Sequence, residues 1–427
     1  MIQSFRTLPV RTQTWVIIAA FVVVSFLINF TEHSADFFAL YLAAYNFADG
    51  NLAAVYPDPT PMYQLSVPDN WDQQANDLGI TERPLFPFIY PPLWAAVFSP
   101  VTQAISPQVF ALSGFVINPA LMGLCAVLTH RIMEPKMDLA LWTLIALVFV
   151  GATSFGYVAL FQNQPQILVS ALIVLAIERN KSGSNFAAGA IMALAASIKL
   201  YPVLFAIFWL ATRNFRALSA FFAVGGCLGL TSIFVAGWPL HQEFLDQIET
   251  IAHSFISCQI CLNLDATLTQ WVMADFLINQ IGIRDPNASE VVNVVVSVKP
   301  EIYRMTDRIL MLAAIALLYL AVFRASDTRL YRSVWPAIFI VVALLSPLTW
   351  SYHYLSVVFF LPVFIEHYRR GWAIFLGLGA VFSVPVLLAI DYAPTPFYLG
   401  QILGTAGIVW ILILFLWMKD DSEPAPP

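Results

Sequence analysis

Charge is what this sequence has least of. Only 11% of its 427 residues are Asp, Glu, Lys or Arg, where a water-soluble domain carries roughly a quarter. That scarcity excludes a chain with a hydrated surface on all sides. The net charge of −6 leaves no basic footprint for nucleic acid. Four cysteines are too few for a disulfide-built scaffold. Cys125 and Cys227 lie inside apolar segments and read as small hydrophobes. Motifs are missing too. There is no Walker A loop, no GxGxxG after a strand, no HExxH, and no Asp-x-Asp pair for a metal-bound sugar nucleotide. The usual signatures of nucleotide, dinucleotide and zinc-peptidase chemistry are therefore absent.

What is present is apolar length. Hydrophobic residues make up 59% of the chain and the mean hydropathy is +0.76. Several runs reach about 18–22 residues, enough to cross a ~30 Å hydrocarbon core at about 1.5 Å per residue. The chain reads as an all-α polytopic membrane protein, with spans expected at 14–31, 108–130, 138–157, 164–179, 186–198, 200–212, 215–236, 306–324, 333–349, 353–367, 372–391 and 397–418. The stretch 88–106 is apolar but broken by Pro91, Pro92, Pro100 and Pro107. It reads as a further span, a re-entrant piece or a helix lying on the membrane. Arg6 and Arg11 precede the first run, which reads as a retained helix because no small-residue cleavage site follows.

Short-loop cations set the orientation. Arg179 and Lys181, Arg213 and Arg216, Arg324, Arg329 and Arg332, and Arg369 and Arg370 all fall on one side, taken as cytoplasmic. The other side receives two long acidic loops, at about 32–87 and 237–305. Residues 1–419 read as one transmembrane domain, and the acidic, Pro-rich 420–427 as a disordered tail.

The polar residues worth attention lie in those loops and at the outer ends of the helices. Asp36 follows the first span within His33-Ser34-Ala35-Asp36-Phe37-Phe38. It is either an interfacial helix cap or a base whose apolar setting raises its pKa. Lys199, in Ser197-Ile198-Lys199-Leu200-Tyr201-Pro202, is either a snorkelling anchor or a cation for a phosphate. Trp350 and His353 close Leu345-Ser346-Pro347-Leu348-Thr349-Trp350-Ser351-Tyr352-His353. They suit stacking on a sugar ring and hydrogen bonding to phosphate, or simple interfacial anchoring. Arg304 and Arg308 share a helix face and suit a phosphate or lipid headgroups. Cys258-X-X-Cys261 lies in the second loop, where oxidation is open to it, and is weak as a zinc signal.

Taken in order, these pieces resemble glycosyltransferase family 87, the polyprenol-phosphate-mannose-dependent enzymes of the GT-C class. The pieces are Asp36, Asp49-Gly50 to Tyr56, Tyr90-Pro91-Pro92-Leu93, Gln162-Asn163-Gln164, Lys199-Leu200-Tyr201-Pro202, and Ser346-Pro347 to His353. The resemblance implies a bundle of about 12 transmembrane helices with two large extracytoplasmic loops. It implies inverting transfer of a hexose, most readily mannose, from a polyprenyl-phosphate donor to a lipid or glycan acceptor. The place would be the outer face of a bacterial cytoplasmic membrane. Asp36 falls at the position of the family's proposed base. Lys199, Tyr201, His353, Trp350, Arg304, Arg308, Gln162 and Asn263 fall to the donor phosphate and sugar. Departures exist: Tyr352 stands where the first histidine of a pair is expected, Phe161-Gln162-Asn163-Gln164 lacks the glycine and asparagine of that motif, and Asp265 replaces a serine. No cofactor or metal is expected, because a membrane-dissolved donor with a phosphate leaving group needs neither. The membrane and its lipids are the remaining partners.

The rival reading is a transporter or flippase for lipid-linked sugars. It predicts charged residues inside spans near the midplane, whereas the polar residues here collect at one face. A cysteine introduced at position 181 should stay unlabelled by an impermeant maleimide on intact cells, and one at position 72 should be labelled. Outside labelling of position 181 overturns this orientation.

Overall fold

The computed structural model of the chain describes residues 7–30, 34–58, 65–81, 84–272, 295–390 and 399–418. The 420–427 tail and His33 lie outside the described residues, as do parts of both long loops. The protein is mostly α-helical. Among the described residues, five helices are long and apolar enough to cross a membrane: Val10–Asn29, Pro107–Met133, Phe215–Ala252, Glu301–Arg324 and Leu399–Trp417. Leu139–Ala152 and Ser154–Phe161 make a sixth if that pair, bent by 69°, is one span.

Pro107–Met133 shows how such a helix is specified. Ser106 caps its N-terminus by accepting from the Val109 N–H, and Pro107 fills the first turn, where no donor is needed. His130 and Arg131 sit in the last turn, where cations offset the helix dipole. Glu134 then takes a left-handed φ of 47° and stops the helix.

The expectation of twelve full-length spans is not met among the described residues. Asn185–Ile198 has 14 residues, Val203–Ala211 has 9 and Trp335–Leu344 has 10. At about 1.5 Å per residue the longest of these covers about 21 Å, short of a ~30 Å core. Their ends are set by Lys199-Leu200-Tyr201-Pro202 and by Ser346-Pro347, where proline removes a donor and blocks continuation. The apolar 353–367 run is divided at Pro362 into Leu355–Val358 and Val363–His367.

The stretch 88–106 does not span either. Its helix, Pro92–Thr102, is 11 residues long, or about 16 Å. It packs on Ala35–Ala48, a helix inside the segment expected to be an external loop. Leu42, Ala43 and Ala44 of that helix are wholly buried. The Tyr41 hydroxyl donates to the Ile105 carbonyl at 2.9 Å, and Phe37 packs on Phe110 with ring centroids 4.8 Å apart. The first loop is thus folded onto the bundle.

The second loop begins where Gly237, at φ 76°, and Pro239 break Phe215–Ala252. It contains an antiparallel pair, Ser254–Ser257 with Val295–Val298. Cys258 and Cys261 form a disulfide, which sets the zinc reading aside. Lys299 is 1% exposed and pairs with Asp265 and, at 3.0 Å, with Asp307. Its Nζ also sits 5.2 Å from the centroid of the Phe255 ring. Lys299→Ala removes the cation beside Asp265, which is 10% exposed. It should cost about 3 kcal/mol in thermal unfolding in detergent, the scale of a broken buried pair. A loss under about 1 kcal/mol would place the pair in the surface class.

Candidate active site

Three segments far apart in sequence meet at one end of the short helices. The first is the opening turn of Ala35–Ala48, which carries Asp36. The second is the turn Gln162–Pro165 between Ser154–Phe161 and Gln166–Lys181. The third is the turn Ser351–Tyr354, with His353. Lys199 enters from the end of Asn185–Ile198.

Gln164 joins them. It is 1% exposed. Its side-chain oxygen accepts from the Tyr90 hydroxyl at 3.2 Å, and its amide donates to the Tyr352 hydroxyl at 3.0 Å. The same amide hydrogen-bonds Asp36. Gln164 owes its position to Asn163, which turns the chain at φ 54°. The Asn163 amide donates to the Ala111 carbonyl at 2.9 Å and reaches the Ser34 hydroxyl at 3.4 Å, and its oxygen accepts from Asn118 at 2.6 Å. The space for it is Gly114: a Cβ there would lie 2.4 Å from the Asn163 Oδ1.

Asp36 and Lys199 face each other without a direct salt bridge. Burial raises the Asp36 pKa, opposed by the charge of Lys199 and the Gln164 hydrogen bond. Burial lowers that of Lys199, opposed by Asp36. The Lys199 ammonium lies 5.5 Å from the Tyr90 ring centroid and 5.7 Å from that of Tyr352, an aromatic cradle for a cation. The Trp94 indole donates to the Ser197 carbonyl at 2.6 Å and ties Pro92–Thr102 to the helix end that precedes Lys199.

His353 completes the cluster with an informative tautomer. Its Nδ1 accepts from the Trp350 N–H at 3.0 Å. Burial first, and the charge of Lys199 second, hold the ring well below its usual pKa, so it is neutral. The proton of a neutral ring whose Nδ1 accepts must sit on Nε2. That Nε2 is 3.3 Å from the Lys199 Nζ. With Lys199 protonated, both are donors and neither accepts from the other. An oxygen with lone pairs to spare, as in a phosphate, satisfies both at once. Beside them lies a cavity of about 70 Å³ lined by Tyr201, Phe205, Phe339, Val342, His353 and Ser356, among others.

Of the residues expected from sequence, Asp36, Lys199, His353 and Tyr201 are brought together, with Trp350 stacked on Tyr352 at 6.5 Å. Four are not. Asn263 is 1% exposed and holds the Ser346 and Pro347 carbonyls at 2.9 and 3.2 Å while capping Leu264–Val272 through the Ala266 N–H. Its hydrogen bonds serve the backbone. Gln162 makes no hydrogen bond to the cluster among the described residues. Arg304 and Arg308 lie in the first turns of Glu301–Arg324, with no contact to Lys199 or His353 among the described residues. Sequence reasoning missed Gln164, Tyr90 and Tyr352 as parts of the site. The available signal was a polar residue in the turn just before Pro165 and a fully buried helix start.

Residues 88–297 match the model of glycosyltransferase family 87. The chain therefore carries a family 87 glycosyltransferase-like domain over that range. Among curated proteins none matches. The matched range holds Tyr90, Gln164, Lys199 and Tyr201, whereas Asp36 and His353 lie outside it.

Gly114→Ala should destabilise the protein by about 1–3 kcal/mol, as overpacking does, because Asn163 must move off its three partners. An unchanged melting temperature in detergent would show that Asn163 does not fix this turn.

Proposed function

We propose, with the family 87-like domain as premise, that the chain transfers a hexose from a polyprenyl-phosphate donor to a lipid or glycan acceptor. The reaction would run at the extracytoplasmic face of a bacterial cytoplasmic membrane. The observation that carries this reading is the convergence of a base and a two-donor anion site, Asp36 opposite Lys199 and His353.

In this scheme the acceptor hydroxyl binds against Asp36, whose carboxylate takes its proton. The freed oxygen attacks the anomeric carbon from the face opposite the phosphate. The bond between that carbon and the phosphate oxygen breaks, and polyprenyl phosphate leaves with both electrons. Lys199 and the Nε2–H of His353 hold the charge that develops on it. Attack from the opposite face inverts the anomeric centre. Gln164 keeps Asp36 aimed, Trp350 offers an aromatic face to the sugar, and Tyr201 borders the phosphate site. The apolar wall of Phe205, Phe339 and Val342 beside His353 suits the first isoprene unit. Mannose is the sugar the family favours.

Residues 1–419 form one transmembrane catalytic domain in this reading. The chain crosses the membrane about twelve times, with several helices shortened where their outer ends open onto the site.

Asp36 works only deprotonated, so activity falls as pH drops through its raised pKa. Lys199 works only protonated, so activity falls as pH rises through its lowered pKa. The profile of kcat/KM should therefore be a narrow bell, its acid limb above the ordinary carboxylate range and its basic limb below the ordinary lysine range. Purified protein with polyprenyl-phosphate mannose, followed by mass spectrometry of released polyprenyl phosphate, reads this directly. Asp36→Asn should lose about 10²–10⁴-fold in turnover and lose the acid limb, while staying folded. Turnover within about threefold of the parent, far below the general-base range, would overturn the assignment.

A further inference from the structure

The disulfide in the second loop is placed to do more than staple a turn. Cys258 and Cys261 are 4% and 1% exposed, and the Cys261 N–H donates to the Cys258 carbonyl at 3.1 Å. The bond therefore closes a four-residue turn that no longer helix or strand contains. The backbone just beyond that turn is paired with the segment that bears His353. Cys261 bridges Trp350 in antiparallel fashion. The Leu262 N–H donates to the Thr349 carbonyl at 2.9 Å, and the Ser351 N–H to the Ile260 carbonyl at 2.8 Å. The Tyr354 hydroxyl donates to the Leu262 carbonyl at 2.5 Å, and Asn263 holds the Ser346 and Pro347 carbonyls. On its far side the turn is anchored to Leu399–Trp417. The Gln401 amide donates to the Cys261 carbonyl at 2.9 Å, and the Gly400 N–H donates to the Gln259 side chain at 3.0 Å.

Trp350 connects this network to the phosphate site. The residue bridged to Cys261 is the one whose N–H occupies His353 Nδ1. The disulfide thus fixes a turn, the turn fixes the Trp350 backbone, and the Trp350 N–H fixes both the position and the tautomer of His353. If the turn opens, Nδ1 loses its donor and Nε2 is no longer obliged to carry the proton.

We infer that Cys258 and Cys261 are positioning residues for donor binding: their disulfide holds the Thr349–Ser351 segment so that His353 presents an N–H beside Lys199. This rests on the reading of His353 and Lys199 as the phosphate site. It also makes donor affinity depend on the oxidising compartment in which such a bond persists.

The test compares the intact protein with the same protein reduced by a water-soluble phosphine. The phosphine takes up a water oxygen as its oxide while the disulfide becomes two thiols, counted by alkylation and mass. A Cys258→Ser and Cys261→Ser double variant gives the same comparison should the buried bond resist reduction. Hydrogen exchange is the readout that needs no substrate. Protection of the Leu262 and Ser351 amides should fall by about tenfold or more on loss of the bond, with the Gln166–Lys181 helix unchanged, as for local opening. In transfer assays kcat/KM for the donor should fall about fivefold or more, through a raised donor KM together with a lowered kcat, because His353 holds charge that develops on the leaving phosphate, and reoxidation should restore it. Unchanged exchange at Leu262 and Ser351 overturns the inference. So does altered exchange with an unchanged kcat/KM for the donor. If exchange changes as expected but the oxidised parent protein releases no polyprenyl phosphate from any donor tried, the brace stands and the transferase reading fails.

Discussion

The end of the bundle that carries Asp36 and Lys199 is arranged around the cost of keeping a carboxyl and an amine inside an apolar protein. Either charge alone in such surroundings costs several kcal/mol. Asp36 and Lys199 each offset the other's burial only in part, since burial remains the larger influence on both. The remainder falls to polarizable and hydrogen-bonding neighbours: two tyrosine faces for the ammonium and the Gln164 amide for the carboxylate. Because Gln164 is also claimed by Tyr90 and Tyr352, the cluster is stiff. A carboxyl and an amine whose pKa values are pushed toward each other, without a direct salt bridge between them, are the kind of pair expected at a functional site.

That arrangement has a price in helix length. A residue that presents a side chain to the cluster from a helix end requires the helix to stop there. The breaks after Phe161, Ile198 and Leu344 lie directly before Gln164, Lys199 and the Trp350–His353 segment. Phe215–Ala252 and Glu301–Arg324 contribute no residue to the cluster, run long, and leave the apolar Phe234, Leu230, Leu312 and Leu317 exposed.

The sequence made the helical, apolar character plain, because hydropathy over a window reports solvent directly. It overstated the number of full spans, because the same window counts an apolar run as continuous through a Lys199–Pro202 or a Pro362. It singled out Asp36, Lys199, Tyr201, Trp350 and His353, polar or aromatic residues at the ends of apolar runs, which the fold brings together. It did not separate these from Arg304, Arg308, Gln162 and Asn263, which share that local signature. Which turn faces which is a matter of tertiary packing. Asn263 looks like a ligand in one dimension and is a backbone clamp in three. Gln164 and Tyr90 had the opposite fate. They stood in the sequence only as pieces of the family pattern, and their contact across 74 residues is visible only in the fold.

The extent of the family match sharpens this. The matched range, 88–297, contains the cation and the glutamine that aims the carboxylate, but neither the carboxylate nor the histidine. Those arrive from the flanks and are tied to the matched range by its own polar residues. Asn163 reaches Ser34 two residues before Asp36, Gln164 binds Tyr352 next to His353, and the Ser154 carbonyl accepts from the Ser351 hydroxyl at 2.9 Å. The turn at 162–165 is therefore the point on which both flanks register. A single residue of slip there would move Gln164 off Asp36 and Tyr352 together and separate the proposed base from the proposed phosphate site. The left-handed turn at Asn163, and the missing side chain at Gly114 that admits it, set the register of the whole cluster.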